Sequence, residues 1–400
     1  MPQGRSDVSR PLSLLRSDPS TRSRVGMVEL FFDLVFVFAI TQLSHTLLSR
    51  LDGLSVMQVG LLMTAVWWLW IFTTWVTNWL DPERVAVRAA LFALMLLGLL
   101  LSASIPLAFG ARGLTFAGAY VAMQVGRTLF FLWAVRRESV EMRRNFQRIA
   151  VWLSVAGLFW LAGGFADPQR RLLWWAIALA LELVSPAVYF WVPGLGRSRV
   201  ADWNIDGGHM AERCALFVII ALGESLLVSG STFATAQWNA AVVLGFCCAF
   251  GSAVVMWWLY FDRGAVAGHH RIAHAADPGR TARVAYTYLH LPIVAGIILS
   301  AVADELVLAH PDHLEAAGLA VATGGPAVYL VGVAAFKSVS RARVLPPLSH
   351  LSGLVLLALV PPLALTLHLS AVAVSATILA ILVVVAVWEH ISLRRLPGHA

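Results

Sequence analysis

Long apolar runs, separated by short polar or Gly/Pro-containing stretches, fill most of this 400-residue chain. A run of about 18 to 25 apolar residues has the length that an α-helix needs to cross a bilayer. Only 13% of the residues are charged, whereas soluble domains carry roughly 25%. Because backbone polar groups in hydrocarbon must be paired within their own segment, the runs predict an all-α polytopic membrane protein.

Twelve spans are predicted by the apolar runs. They lie near residues 27–49, 56–80, 87–109, 114–135, 148–166, 171–192, 212–231, 238–261, 284–303, 317–337, 348–368 and 371–390. We divide the chain accordingly into an Arg-rich cytoplasmic tail (1–26), a first six-helix half (27–192), a cytoplasmic linker (193–211), a second half (212–390) and a cytoplasmic tail (391–400).

The basic residues give the predicted orientation. When alternate loops are assigned to one side of the membrane, 24 of the 29 Lys and Arg residues fall on the side of the N-terminus. The other side receives an acidic loop: Asp304, Glu305, Asp312 and Glu315. Since cytoplasmic loops are enriched in Lys and Arg, both termini are predicted to be cytoplasmic.

A weak internal repeat fits the even number of spans. Val66–Trp70 in span two reads Val-Trp-Trp-Leu-Trp, and Met256–Tyr260 in span eight reads Met-Trp-Trp-Leu-Tyr. Such a match predicts two parallel six-helix halves.

The first span contains two carboxylates, Glu29 and Asp33, which share a helix face because they are four residues apart. A charged residue at the centre of a bilayer costs roughly 2.5–3.5 kcal/mol on insertion scales, so an intramembrane acid is a candidate functional residue. Glu29 has an alternative explanation, since an acid at a helix N-terminus interacts favourably with the helix dipole. Asp33 lies deeper, in the predicted inner third of the bilayer.

Span seven carries a second group of ionisable residues. His209, Glu212 and Arg213 lie at its predicted cytoplasmic boundary, and Glu224 lies twelve residues beyond Glu212. With a rise of about 1.5 Å per residue, Glu224 is about 18 Å deeper and near the bilayer centre. Together with Glu29, the three boundary residues form a predicted cytoplasmic-side polar cluster.

Two further charges interrupt apolar runs, Arg127 in span four and Glu182 in span six. One arginine between two acids predicts a buried ion network. Asp33, Arg127, Glu182 and Glu224 are therefore candidates for coupling to a substrate or ion, with helix packing as the alternative role.

Other site types find little support. Histidines 269, 270 and 274 cluster in a predicted loop, but metal sites need three or four convergent ligands, so we expect no metal. No phosphate loop or dinucleotide fingerprint occurs, and no other cofactor is expected. The net charge of +7 follows the membrane topology, which argues against a nucleic-acid partner. The predicted partners are membrane lipids and an unknown small molecule or ion, with a homo-oligomer possible.

Two long motifs resemble one protein family. The segment from Glu29 to His45, Glu-Leu-Phe-Phe-Asp-Leu-Val-Phe-Val-Phe-Ala-Ile-Thr-Gln-Leu-Ser-His, and the segment His209-Met-Ala-Glu-Arg with Gly223-Glu224-Ser225 closely resemble the bacterial low temperature requirement A (LtrA) family. The resemblance implies a multi-pass protein of the bacterial inner membrane. It implies no established biochemical activity.

The sequence leaves three functions open. The first is a secondary transporter or ion- or proton-coupled permease, favoured by twelve spans and charged residues near the midplane. The second is a membrane-embedded enzyme acting on a lipid or hydrophobic metabolite, with Asp33, His209, Glu212 and Arg213 as acid–base groups. The third is a structural or sensory protein in which the charges only fix helix packing.

Overall fold

The computed structural model describes residues 13–16, 25–199, 206–261, 281–340 and 345–394. These residues contain twelve α-helices. In chain order they are α1 (Met27–Ser49), α2 (Gly53–Trp79), α3 (Val85–Ser104), α4 (Gly113–Ala134), α5 (Val140–Phe165), α6 (Pro168–Val184), α7 (Gly207–Thr235), α8 (Ala240–Phe261), α9 (His290–Ala309), α10 (Ala316–Ser340), α11 (Leu348–Leu367) and α12 (Ala371–Arg394). A short 3₁₀ turn (Ile105–Leu107) extends α3, and a π-helical turn (Arg283–Tyr288) precedes α9.

Ten of these helices are long and apolar enough to cross a membrane, all except α4 and α6. Helix α6 has only 17 residues, and α4 carries Gln124 and Arg127, which lower its mean hydropathy. The predicted all-helical membrane class is confirmed, whereas the number of twelve membrane crossings stays a prediction.

Side-chain caps fix where several helices begin. Asp52, Ser139 and Asp167 accept hydrogen bonds from backbone N–H groups in the first turns of α2, α5 and α6. Asp206 accepts from the N–H groups of Gly208 and His209 at the start of α7. Each cap satisfies donors that have no partner within the helix. The cap at Asp206 explains why α7 begins five residues before the predicted boundary at 212.

Other boundaries also differ from the prediction. Helix α6 ends at Val184 rather than at 192 because Pro186 has no N–H to continue the helix. The predicted external acids Asp304 and Glu305 lie within α9, and Asp304 is buried. The structure shows no hydrogen bond to the Asp304 carboxylate from the residues it describes.

Helix α2 lies in the interior of the bundle and contacts α1, α4, α6, α7 and α9. Its residues from 65 to 71 are almost completely buried, including three tryptophans. Trp67 donates to the carbonyl of Thr287 at 2.7 Å, and Trp75 donates to the Thr287 hydroxyl at 3.0 Å. The matching Trp257 and Trp258 of α8 are exposed, so the shared sequence pattern occupies different environments.

Six helix contacts of the first predicted half have counterparts in the second. In the first half the contacts α1–α2, α1–α3, α3–α4, α4–α5, α5–α6 and α2–α6 occur. The second half contains the equivalent contacts, α7–α8, α7–α9, α9–α10, α10–α11, α11–α12 and α8–α12. Between the halves, α1 and α2 pack against α7 and α9.

Glycines allow α9 and α10 to approach closely. A Cβ atom added at Gly325 would lie 2.7 Å from the backbone nitrogen of Ser300, and one added at Gly296 would lie 2.4 Å from that of Tyr329. These distances are shorter than van der Waals contact and involve backbone atoms. Small residues at such crossings are the usual means by which membrane helices pack tightly.

Two adjacent glycines of α10 therefore provide a matched test of this packing. We expect Gly325→Ala to destabilise the protein by about 1–3 kcal/mol through overpacking. Gly324→Ala should be neutral or slightly stabilising, because a Cβ atom there meets nothing within 4 Å and alanine favours a helix. Thermal unfolding of the two purified variants in detergent measures the difference, and equal midpoints would contradict the close contact.

Candidate functional site

Polar contacts join α1 to α7 at successive levels along both helices. The pairs are Glu29 with His209, Asp33 with Arg213, and Thr41 with Glu224. The first two pairs have the same sequence separation of 180 residues, and the third has a separation of 183. Helices α1 and α7 therefore run parallel, with Glu29 and His209 at their N-terminal ends.

Asp33 and Arg213 form an ion pair between two fully buried side chains. Nη2 of Arg213 donates to Oδ1 of Asp33 at 2.7 Å, and the indole N–H of Trp70 donates to the same oxygen at 2.7 Å. The guanidinium carbon of Arg213 lies 5.6 Å from the centre of the Trp70 ring. The Trp-rich face of α2 thus encloses a charge pair contributed by α1 and α7.

This ion pair is incompletely hydrogen-bonded. Oδ2 of Asp33 and both Nε and Nη1 of Arg213 are buried without a hydrogen-bond partner among the described residues. A buried polar atom left unpaired costs about 1–3 kcal/mol, and more when it belongs to a charged group. The attraction between the two charges is therefore largely offset by the cost of burying them, so stability alone does not account for the pair.

A second ion pair lies at the N-terminal ends of α1 and α7. Glu29 accepts from Nη2 of Arg16 at 2.9 Å and lies 3.0 Å from Nε2 of His209. It also accepts from the backbone N–H of Gly26 at 2.8 Å. Glu29 thus caps the helix, as its alternative explanation holds, and also binds two other side chains.

His209 lies between Glu29 and Asn78. The side chain of Asn78 donates to the carbonyl of Asp206 and accepts from its N–H, both at 2.9 Å, which fixes the orientation of the amide. The donating Nδ2 of Asn78 is 3.3 Å from Nδ1 of His209. Nδ1 of His209 therefore accepts from Asn78, while its Nε2 lies 3.0 Å from the carboxylate of Glu29 and 3.2 Å from Nη2 of Arg16.

Glu212 does not join the cytoplasmic-side cluster predicted from the sequence. Its side chain is exposed, and the structure shows no ion pair or hydrogen bond from it to the described residues. A step of one residue turns a helix by about 100°, so Glu212 faces outward while Arg213 faces α1 and α2. The cluster contains Arg16 in its place.

Glu182 is held by neutral donors rather than by an arginine. Its carboxylate accepts from the Tyr120 hydroxyl at 2.7 Å, from Nε2 of Gln124 at 2.8 Å and from the Trp160 indole at 2.8 Å. The side chain is buried, and both of its carboxylate oxygens are hydrogen-bonded. Helices α4, α5 and α6 each contribute to this arrangement.

Arg127 contacts Glu182 only indirectly. Oε1 of Gln124 accepts from Nη2 of Arg127, while the amide of the same glutamine donates to Glu182. Nη1 of Arg127 donates to the Thr73 hydroxyl at 2.9 Å and to the carbonyl of Leu69 at 3.2 Å. Within the described chain Arg127 has no carboxylate at ion-pair distance.

The structure does not bring the four candidates Asp33, Arg127, Glu182 and Glu224 together as a single group. Asp33 pairs with Arg213, Glu182 and Arg127 are joined through Gln124, and Glu224 accepts from Thr41 at 2.5 Å. The acids and the arginine are distributed over different helix contacts, so they do not meet in one place.

Several residues of these contacts lie outside the sequence predictions. In the sequence Arg16 is one of several arginines in a basic tail, while Trp70, Asn78 and Gln124 carry no charge that would single them out. A further ion pair joins Lys337 of α10 to Glu389 of α12 at 2.6 Å, and both are buried. Lys337 is the only lysine of the chain and falls within a predicted span, so the sequence alone marks it as a charge that needs a partner in the membrane.

No group of three potential metal ligands occurs among the residues that the structure describes. Histidines 269, 270 and 274, the loop cluster considered from the sequence, lie outside that part of the chain.

Comparison with known proteins places these motifs in a family. The profile of the bacterial low temperature requirement A protein (LtrA) matches residues 24–387. The chain belongs to the LtrA family. An uncharacterized protein of Rhizobium meliloti (strain 1021) is 42% identical over 388 residues, which is 96% of this chain and 94% of the relative. No solved structure matches.

The buried ion pair of this LtrA protein allows a test by double mutation. We expect Arg213→Met to lower stability by about 3–5 kcal/mol, because it leaves the Asp33 carboxylate buried without its cation. The double variant Asp33→Asn/Arg213→Met should be less destabilised than the sum of its single variants. Chemical unfolding in detergent measures the coupling.

The control for this cycle is Glu212→Gln, adjacent to Arg213 but exposed. It should change stability by no more than about 0.5 kcal/mol. Strictly additive effects of Asp33→Asn and Arg213→Met would show that the two side chains do not interact.

Proposed function

We propose that this LtrA-family protein is a secondary transporter or ion- or proton-coupled permease of the bacterial inner membrane. In this proposal its twelve helices all cross the bilayer as two parallel six-helix halves, with both termini in the cytoplasm. The recurrence of six equivalent helix contacts in the two halves supports this arrangement. The excess of basic residues on the side of the N-terminus supports the orientation.

One observation carries the proposal: the Asp33–Arg213 pair joins the two halves and is incompletely hydrogen-bonded. Asp33 belongs to the first helix of one half, and Arg213 belongs to the first helix of the other. In transporters built from repeats, alternating access arises largely when one repeat moves against the other around a fixed site. A charge pair across that boundary would respond to such movement.

The unpaired atoms of Asp33 and Arg213 are the groups that would bind the ion. Oδ2 of Asp33 has the capacity to accept a proton or cation, and Nε and Nη1 of Arg213 have the capacity to bind an anion. When a proton or cation neutralises Asp33, its attraction for Arg213 weakens and the contact between α1 and α7 loosens. Binding is thereby coupled to the relative position of the halves.

The contact between Thr41 and Glu224 extends this path farther from the cytoplasmic end. Thr41 is two helical turns beyond Asp33, a distance of about 12 Å along α1. Glu224 is buried, and its hydrogen-bond partner in the described part of the chain is the Thr41 hydroxyl at 2.5 Å. A single neutral donor leaves this carboxylate available for protonation or for a cation.

Charge movement in proteoliposomes tests the proposal without knowledge of the substrate. A rapid step in pH or in sodium concentration should produce a transient charge displacement in wild-type protein adsorbed on a solid-supported membrane. Asp33→Asn and Glu224→Gln should each reduce that signal to the level of empty liposomes, because each removes a site for the ion. Size-exclusion profiles of the purified variants show that they remain folded.

Glu212→Gln is the matched control, since it removes a carboxylate of α7 that is exposed. It should give the wild-type signal. Normal charge displacement in both Asp33→Asn and Glu224→Gln would refute ion coupling at these residues.

A further inference from the structure

Arg127 is a buried cation whose hydrogen-bond partners are all neutral. They are the Gln124 amide, the Thr73 hydroxyl and the carbonyl of Leu69. Its Nε is buried and has no hydrogen-bond partner among the described residues. Only 4% of the residue surface is exposed. Burial of a charge without an ion-pair partner is costly, and the carboxylate of Glu182 reaches Arg127 only through Gln124, so a carboxylate in direct contact with Arg127 would lower this cost.

A cavity of about 240 Å³, with Arg127 among its lining residues, lies between α2, α3 and α4. Apart from Arg127 and two threonines, the lining side chains are apolar. Three of the lining residues are small and exposed: Ala93 on α3, and Ala122 and Gly126 on α4. Their missing side-chain volume leaves a gap between α3 and α4 on the surface that the membrane covers.

The two observations define the chemistry of an occupant. We infer that this cavity binds a hydrophobic monocarboxylic acid, with the carboxylate on Arg127 and the hydrocarbon chain between α3 and α4. Arg127 lies seven residues before the end of α4, about 10 Å from that end. The lining residues Leu97 of α3 and Ala122 of α4 lie farther than Arg127 from the C-terminal end of α4. They provide an apolar path for the hydrocarbon chain of the ligand.

The geometry favours a carboxylate over a phosphate headgroup. Of the five N–H donors of Arg127, both on Nη1 and one on Nη2 have partners, so the N–H of Nε and the second N–H of Nη2 remain unpaired in the described part of the chain. A phosphate presents more acceptor oxygens than this site has donors, whereas a small monoanion needs fewer. The glycerol and headgroup of a phospholipid would also have to enter the apolar interior.

A second cavity on the other side of Arg127 does not compete for this ligand. It lies among Phe72, Trp75 and Phe146 and has a volume of about 30 Å³, which is room for about one water molecule. The cavity at Arg127 is also separate from the Asp33–Arg213 pair. A test of fatty-acid binding there therefore does not depend on the ion coupling proposed above.

Binding of radiolabelled palmitate to the purified full-length protein tests the inference. Wild-type protein should bind palmitate saturably in a scintillation proximity assay. Hexadecan-1-ol should compete at least about tenfold more weakly because it lacks the charge, and acetate should not compete because it lacks the chain. Arg127→Gln should weaken palmitate binding by at least about tenfold.

Two glycines of α4 provide the decisive comparison, because a Cβ atom meets nothing within 4 Å at either position. Gly126 lines the cavity, whereas Gly118 does not. Gly126→Leu should abolish palmitate binding by filling the gap, and Gly118→Leu should bind like the wild type. Equal binding by these two variants, or equal competition by hexadecan-1-ol, would overturn the site. Native mass spectra showing a phospholipid that palmitate does not displace would also overturn it.

Discussion

A charge buried in hydrocarbon needs a partner at the same depth, and the Asp33–Arg213 pair imposes this constraint on the centre of the structure. Helix α1 cannot slide or rotate against α7 without separating the two side chains, since one residue of slip turns a helix by about 100°. The contact between Glu29 and His209, one turn earlier, has the same register. These polar contacts fix how the two predicted halves meet.

The junction is completed, at the N-terminal ends of α1 and α7, by a residue that precedes the first helix. The last carbonyls of a helix have no partner within it, and Arg16 donates to those of Thr77 and Leu80 at 3.0 and 3.1 Å. The backbone N–H of Arg16 also donates to the carbonyl of Trp79 at 2.9 Å. Arg16 therefore connects the end of α2 to Glu29, and the junction depends on a segment that appears in the sequence only as part of a basic tail.

The sequence predicts the helices well because apolar run length and capping residues are local properties. It predicts less about which side chains meet, because those contacts join distant parts of the chain. Asp33 is recognisable as unusual, yet nothing near it indicates that its partner is 180 residues away. Arg213 and Glu212 are neighbours of opposite charge, and only tertiary packing shows that one is buried and the other exposed. Gln124 carries no charge, so its position between Arg127 and Glu182 has no signal in composition.

The buried charges differ in how completely they are satisfied, and this difference separates two roles. Three donors occupy both oxygens of Glu182, which is what a static packing interaction requires. Asp33, Arg213 and Arg127 each retain a buried polar atom without a partner in the described structure. In the functions proposed above, the unpaired atoms of Asp33, Arg213 and Arg127 are the places where an ion or a carboxylate binds. The amide of Gln124 lies between Glu182 and Arg127, so these two charges do not form a direct ion pair.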